Sequence, residues 1–138
     1  MTETGAPQEP NADPAEIARY EALARTWWDA SGPLWPLHRL NALRVPYVLD
    51  HACRHFGRDR MAARPLDGLR VLDVGCGAGI LSEAVARAGA RVTGVEIAAR
   101  GVEIAREHAA GQGLDVRYVQ GSVEDLEDGP WDVVLNME

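Results

Sequence analysis

The sequence predicts a doubly wound α/β fold: a parallel sheet with helices on both faces, incomplete, and preceded by an N-terminal helical segment. Three observations predict it. The apolar run Val71-Leu72-Asp73-Val74 breaks into the glycine stretch Gly75-Cys76-Gly77-Ala78-Gly79 and opens a helix-patterned segment. A second apolar run, 91–96, ends on the carboxylate of Glu96, twenty-one residues after Gly75. Beyond it, short apolar runs keep alternating with helical patterns, as parallel strands joined by right-handed crossovers require. Such a sheet holds its ligand in a crevice at the carboxyl ends of its strands.

The elements follow in order. Residues 1–12 carry Gly, Pro, Asn and Gln with almost nothing apolar, so they read as a disordered tail. Asp13-Pro14-Ala15-Glu16 sets a capping side chain before a first-turn proline, with an acid at the third helical position. The helix it opens places Ile17, Tyr20, Leu23, Ala24, Trp27 and Trp28 on one face, and Ser31-Gly32-Pro33 ends it. A connector is expected at 34–41 and a second helix from Leu43 to Phe56, its start blurred by Pro46. The charged stretch 57–69, with Pro65 and Gly68, reads as a linker that closes the helical segment 13–69. The sheet half-domain then occupies 70–138. Its strands are expected at 70–75, 91–96, about 115–119 and about 131–137. Its helices carry Ile80, Leu81, Ala84, Val85 and Ala88 on one face, and then span 98–110.

Composition narrows the classes. The 138 residues suit one small domain, and 46% hydrophobic with 25% charged content is ordinary for a globular chain. A formal net charge of -7 leaves no basic footprint, so no nucleic-acid partner is expected. No apolar run reaches the roughly 20 residues of a membrane span, and with no basic region followed by an apolar one at the amino terminus a secretory signal is not expected. The two cysteines, Cys53 and Cys76, form neither a disulfide framework nor a metal cluster, which suggests reduced thiols in a cytoplasmic protein.

The glycine spacing bears on the ligand. A dinucleotide fingerprint would place its third glycine at position 80, where Ile80 stands. The observed pattern is Asp-x-Gly-x-Gly-x-Gly, from Asp73 to Gly79. An acid two residues before the turn suits a ligand with a cationic amine rather than a pyrophosphate, and S-adenosylmethionine is such a ligand. Asp73 can face its amino group, Gly75 and Gly77 admit the backbone close to it, and Glu96 can accept from both ribose hydroxyls. Asp73 could equally bond the amides of its own turn. Ser122, with Glu124 and Asp125, could meet the adenine or simply start a solvated helix. Trp27 and Trp28 at helical spacing suit a core as well as a ligand wall, and His38 suits a structural role.

The glycine stretch resembles the first motif of class I S-adenosylmethionine-dependent methyltransferases, which implies their Rossmann-like fold. Upstream, Tyr20-Glu21, Trp27-Trp28-Asp29, Pro36-Leu37-His38-Arg39-Leu40-Asn41 and Leu43-Arg44 resemble the amino-terminal region of the ubiquinone-biosynthesis O-methyltransferases. These methylate polyprenylated phenols and catechols of the 2-polyprenyl-6-hydroxyphenol and 3-demethylubiquinol type. The likeness runs through 13–138. It implies that Arg44 pairs with the methionine carboxylate of the cofactor, that Gly75 contacts the cofactor, that Glu96 holds the ribose, and that Met137 lies beside the adenosine. The family commonly has aspartate where Glu96 stands. Glu138 matches the first of a carboxylate-carboxylate-histidine group for a divalent cation, Mg2+ being the candidate. The stretch 57–69 is longer than the family's usual linker and reads as a surface insertion.

The resemblance also implies a polyprenylated phenol or catechol partner and, with so apolar an acceptor, a cytoplasmic protein in peripheral contact with a membrane. No sequence feature bears on the oligomeric state, on prenyl length or on the catalytic base. The chain stops at Glu138, at the end of its fourth strand, so a truncated enzyme with little activity by itself is the expectation. Two other classes stay open: the nucleotide-binding half of an NAD(P)-dependent oxidoreductase, whose ribose also suits Glu96, and a non-catalytic fragment.

Overall fold

A parallel sheet forms where short β-branched runs alternate with helices long enough to carry the chain back over one face. The computed structural model describes residues 14–137, apart from the side chains of residues 16, 17, 20, 21 and 23. The expected tail 1–12, the Asp13 cap and Glu138 lie outside the described residues. The elements are α1 (Pro14–Trp28), α2 (Trp35–Phe56), β1 (Arg70–Val74), α3 (Ile80–Arg87), β2 (Arg91–Glu96), α4 (Ala99–Gly111), β3 (Arg117–Gln120), a 3-10 turn (Val123–Asp125) and β4 (Val133–Leu135).

All strand pairs are parallel, in the order β3-β2-β1-β4. The chain moves outward from β1 to β2 to β3, then returns to the far side of β1 as β4. The carboxyl ends of β1 and β4 therefore flank the point where the winding reverses, the position at which such sheets open a crevice. One core lies where α2 and α3 cover the sheet. Val48, Leu49 and Cys53 of α2 meet Val85 of α3, Val71 of β1, Val92 of β2 and Leu135 of β4 there. A smaller core lies under α4, where Val102, Ala105 and Ala109 pack on Tyr118 and Cys76. Both cysteines are free and buried.

Two boundaries differ from the sequence expectation. The segment 34–41 is largely helical, because α2 starts at Trp35 with Pro36 in its first turn, where a missing N–H costs nothing. No side chain caps Leu34, so the start carries no capping signal, and Pro46 sits inside the helix. β4 is shorter than expected because Trp131 and Asp132 have other work. The Asp132 carboxylate accepts from the Arg70 N–H at 2.8 Å, and the Arg70 guanidinium lies 5.0 Å from the centre of the Trp131 ring. The stretch 57–69 is anchored rather than a surface insertion at its second half. Leu66 is fully buried, and its N–H donates to Ala88 O at 2.9 Å. Among the described residues no helix is long and apolar enough to cross a membrane.

Candidate functional site

The site begins with the turn after β1. Gly75, Gly77 and Gly79 all have positive φ, and the Gly75 and Cys76 N–H groups both donate to Val95 O, at 2.9 and 3.1 Å. This laces the turn to the end of β2. Two glycines are required by close approach: a Cβ on Gly79 would collide with the Tyr118 hydroxyl, and one on Gly94 would stand 2.8 Å from Cys76 Sγ. Positive φ at Gly79 adds backbone strain for any other residue.

Over this turn lies a cavity of about 170 Å³. Its floor is Asp73, Gly75, Cys76, Gly77 and Ala78; its roof is Trp27 from α1 with Leu37, Asn41 and Arg44 from α2; Ile80, Leu81 and Met137 close its sides. The roof is fastened at two points. Asn41 Nδ2 donates to Ile80 O at 3.4 Å, and His38 Nε2 donates to Trp27 O at 2.9 Å. His38 thus has the structural role considered for it, while Trp27 is a cavity wall.

Asp73 is the charged group of the floor. It is 3% exposed and accepts a 2.6 Å hydrogen bond from Ser82 Oγ. Burial pushes its carboxyl up to about 6, against the opposing pull of the Ser82 hydroxyl and the Arg44 charge. Asp73 therefore bonds the helix behind it, and the Arg44 charge across the cavity favours its ionised form. Beside it, burial and the Asp73 and Glu96 carboxylates push the Cys76 thiol up to about 12, so Cys76 is a packing residue with no thiolate at neutral pH.

The structure brings Arg44, Asp73, Gly75, Gly77 and Met137 together around one cavity. It places Glu96 and Ser122 outside that lining. Glu96 stands at the end of β2, where Oε1 accepts from the Gly77 N–H at 3.1 Å and Oε2 from the Ala98 N–H at 3.0 Å. Ser122 forms a capping box with Asp125, whose carboxylate accepts from the Ser122 N–H at 2.9 Å. Among the described residues no group of three His, Cys, Asp or Glu could hold a metal ion, and Glu138 is not among them. Ser82 was not singled out by the sequence, and Leu37 and Asn41 entered only as part of the resemblance stretch, with no role assigned. A bare asparagine or serine inside a helix carries no local mark of the element it will meet.

A family model described as a methyltransferase domain matches residues 71–138, from the start of β1 onward. This likeness places the sheet half of the chain, residues 71–138, in the methyltransferase family. Within it, the chain is 48% identical over 128 residues to the ubiquinone biosynthesis O-methyltransferase of Rhizobium leguminosarum bv. trifolii, covering 91% of this chain and 51% of that protein. It is 47% identical over 135 residues to the one from Methylocella silvestris, covering 93% of this chain and 53% of the relative. The chain thus spans about half the length of the curated relatives it matches. Among solved structures, the magnesium protoporphyrin IX methyltransferase of Synechocystis PCC 6803, with SAM bound, superimposes at a TM-score of 0.59 with 26% identity, covering 84% of this chain and 54% of that one. The winding of the sheet is therefore the Rossmann-like methyltransferase winding expected from the glycine motif.

Proposed function

We propose that the cavity under α1 and α2 binds S-adenosylmethionine. We propose also that the protein to which this half corresponds transfers the methyl group to a hydroxyl of a polyprenylated phenol or catechol in ubiquinone biosynthesis. One observation carries the first part: a single cavity offers a carboxylate, Asp73, on its floor and a guanidinium, Arg44, on its roof. An amino-acid zwitterion needs that pair, an acceptor for its ammonium and a fork for its carboxylate. A pyrophosphate would be repelled by Asp73. The relatives' printed names support the acceptor class.

Bound there, the sulfonium supplies an electrophilic methyl group. The chain's own residues do the positioning, which in such transfers supplies much of the barrier reduction. Asp73 and Arg44 would fix the amino-acid end, Gly75 and Gly77 would let the backbone close on it, and Trp27 would shield it from water. Glu96, braced on two amides at the mouth, would turn toward the ribose, with Met137 and Ser122 toward the nucleoside. Peripheral contact with a membrane surface would bring the apolar acceptor to the protein.

Calorimetric titration tests the reading. S-adenosylhomocysteine is expected to bind and NAD to give no heat, with Glu96→Ala weakening S-adenosylhomocysteine about tenfold or more through loss of charge-assisted hydrogen bonds. Binding of NAD instead would reject it in favour of an oxidoreductase half. Equal silence of wild type and Glu96→Ala toward both ligands would reject it in favour of a non-catalytic fragment.

A further inference from the structure

Away from the cavity, the molecule buries one carboxylate that the methyl-donor site does not use. Glu83 on α3 is 0% exposed. Its Oε2 accepts from His108 Nδ1 of α4 at 2.5 Å, and its Oε1 accepts from Arg87 Nη2 at 3.2 Å. A buried carboxylate without such partners would be strongly destabilising. Glu83 thus locks the His108 ring in place on the surface of the sheet half. On the outer face of that ring lies Trp28, with ring centres 3.6 Å apart and planes 1° from parallel. His38 of α2 meets the same indole edge-on at 6.1 Å. Trp28 Nε1 finds no hydrogen-bond partner among the described residues, so the indole is held by its faces rather than by its polar atom.

Trp28 is the last residue of α1, and its neighbour Trp27 roofs the cavity. A Cβ on Gly77 would lie 3.7 Å from Trp27 Cζ2. The line from Glu83 through His108 to Trp28 therefore ends one peptide bond from the cavity wall. Arg25, Asp29 and Glu107 border the same stack from α1, the following turn and α4, and all three are solvent-facing. The ring contact is the part of this junction that constrains orientation, because closely packed parallel faces resist tilt.

We propose that His108 is a positioning residue: clamped by Glu83 and stacked on Trp28, it holds the Trp27 roof in register over the glycine turn. The inference rests on the cofactor reading only for its affinity readout. His108 touches neither the cavity nor any group proposed to meet the cofactor; it reaches the site through Trp28 of α1 and through Glu83 of α3, and the Trp28 variants separate the two routes.

The test uses the full chain and two readouts. His108→Gln keeps a donor for Glu83 and removes the ring. Amide hydrogen exchange on this variant, with no ligand present, is expected to quicken at 27–38 and 75–79 and to stay at the wild-type rate at 117–120 in β3. Unchanged exchange at 27–38, or a uniform rise along the chain, would overturn the proposal. Trp28→Phe, which retains a stacking face, is expected to exchange like wild type, and Trp28→Ala like His108→Gln; equal behaviour of the two Trp28 variants would also overturn it. The second readout is S-adenosylhomocysteine affinity in a double-mutant cycle. Trp27→Ala and His108→Gln should each weaken binding about tenfold, and the double variant should lose about tenfold as well, since one acts through the other. An additive loss of about a hundredfold would overturn the proposal. Absence of binding by the wild-type chain would reject the cofactor reading alone, and hydrogen exchange would still decide the role of His108.

Discussion

The floor and the roof of the cavity are built by opposite means. The floor is backbone: three positive-φ glycines within five residues, tied to the Val95 carbonyl and to Glu96. Its shape follows from local sequence, because only glycine tolerates those angles and that closeness to Tyr118. The roof is side chains: Trp27, Leu37, Asn41 and Arg44 arrive from helices more than thirty residues before the turn. Tertiary contacts set their positions, through His38 on the Trp27 carbonyl, Asn41 on the Ile80 carbonyl, and Trp28 on His108. A glycine backbone fixed by local geometry should fail by unfolding, whereas the side chains that face the cavity should fail by losing ligand with the fold intact.

The largest effect is expected at the floor. Gly79→Ala forces a left-handed backbone on an L-residue and drives a methyl group into Tyr118. The two costs together come to about 2–5 kcal/mol, read as a lowered urea midpoint with an unchanged slope. Retention of wild-type stability would mean that Tyr118 can move, and that the floor is softer than its hydrogen bonds imply.

Asp73 gives the next effect, and its sign separates stability from function. Its carboxyl titrates near 6 in the folded chain against an ordinary value of 3.8. The folded state therefore holds the proton more tightly than the unfolded one. The stabilisation is complete below about pH 4 and is lost as pH rises through about 6, a contribution of about 3 kcal/mol. Binding of an ammonium runs the other way, since it needs the carboxylate. Asp73→Asn should raise the melting temperature at pH 8 while weakening S-adenosylhomocysteine at least tenfold, the loss of one charge-assisted bond. A variant that lost both stability and affinity would assign Asp73 to the turn rather than to the ligand.

At the roof, Arg44→Met should leave the urea midpoint nearly unchanged and weaken S-adenosylhomocysteine roughly 10- to 150-fold, the range for a hydrogen bond to a charged group. The smallest effect belongs to Ser122→Ala, which removes a cap from a 3-10 turn outside the cavity. It should cost about 0.5–1 kcal/mol of stability. An affinity loss larger than that stability loss would place Ser122 at the nucleoside as well.

The same contrast explains what the sequence could tell. The glycine turn, the strand ending at Glu96 and the helical face of α3 were legible because each is set by spacing within a dozen residues. The start of α2 was hidden because Leu34 offers no capping side chain, and Pro46 blurred where the helix begins. Trp27 could not be separated from Trp28 by periodicity, since both lie on the apolar side of α1. Only the packed chain divides them, one against the glycine turn and the other against His108. Glu96 illustrates a further limit: its position at the strand end was readable, but not that both its oxygens would engage the turn amides.

The most direct test of the account is a crystal structure of the chain with S-adenosylhomocysteine. The ligand's amino group should stand within about 3 Å of an Asp73 oxygen, its carboxylate should face the Arg44 guanidinium, and Trp27 should cover both. A ligand bound elsewhere, or one whose amino-acid end leaves Asp73 and Arg44 untouched, would contradict it.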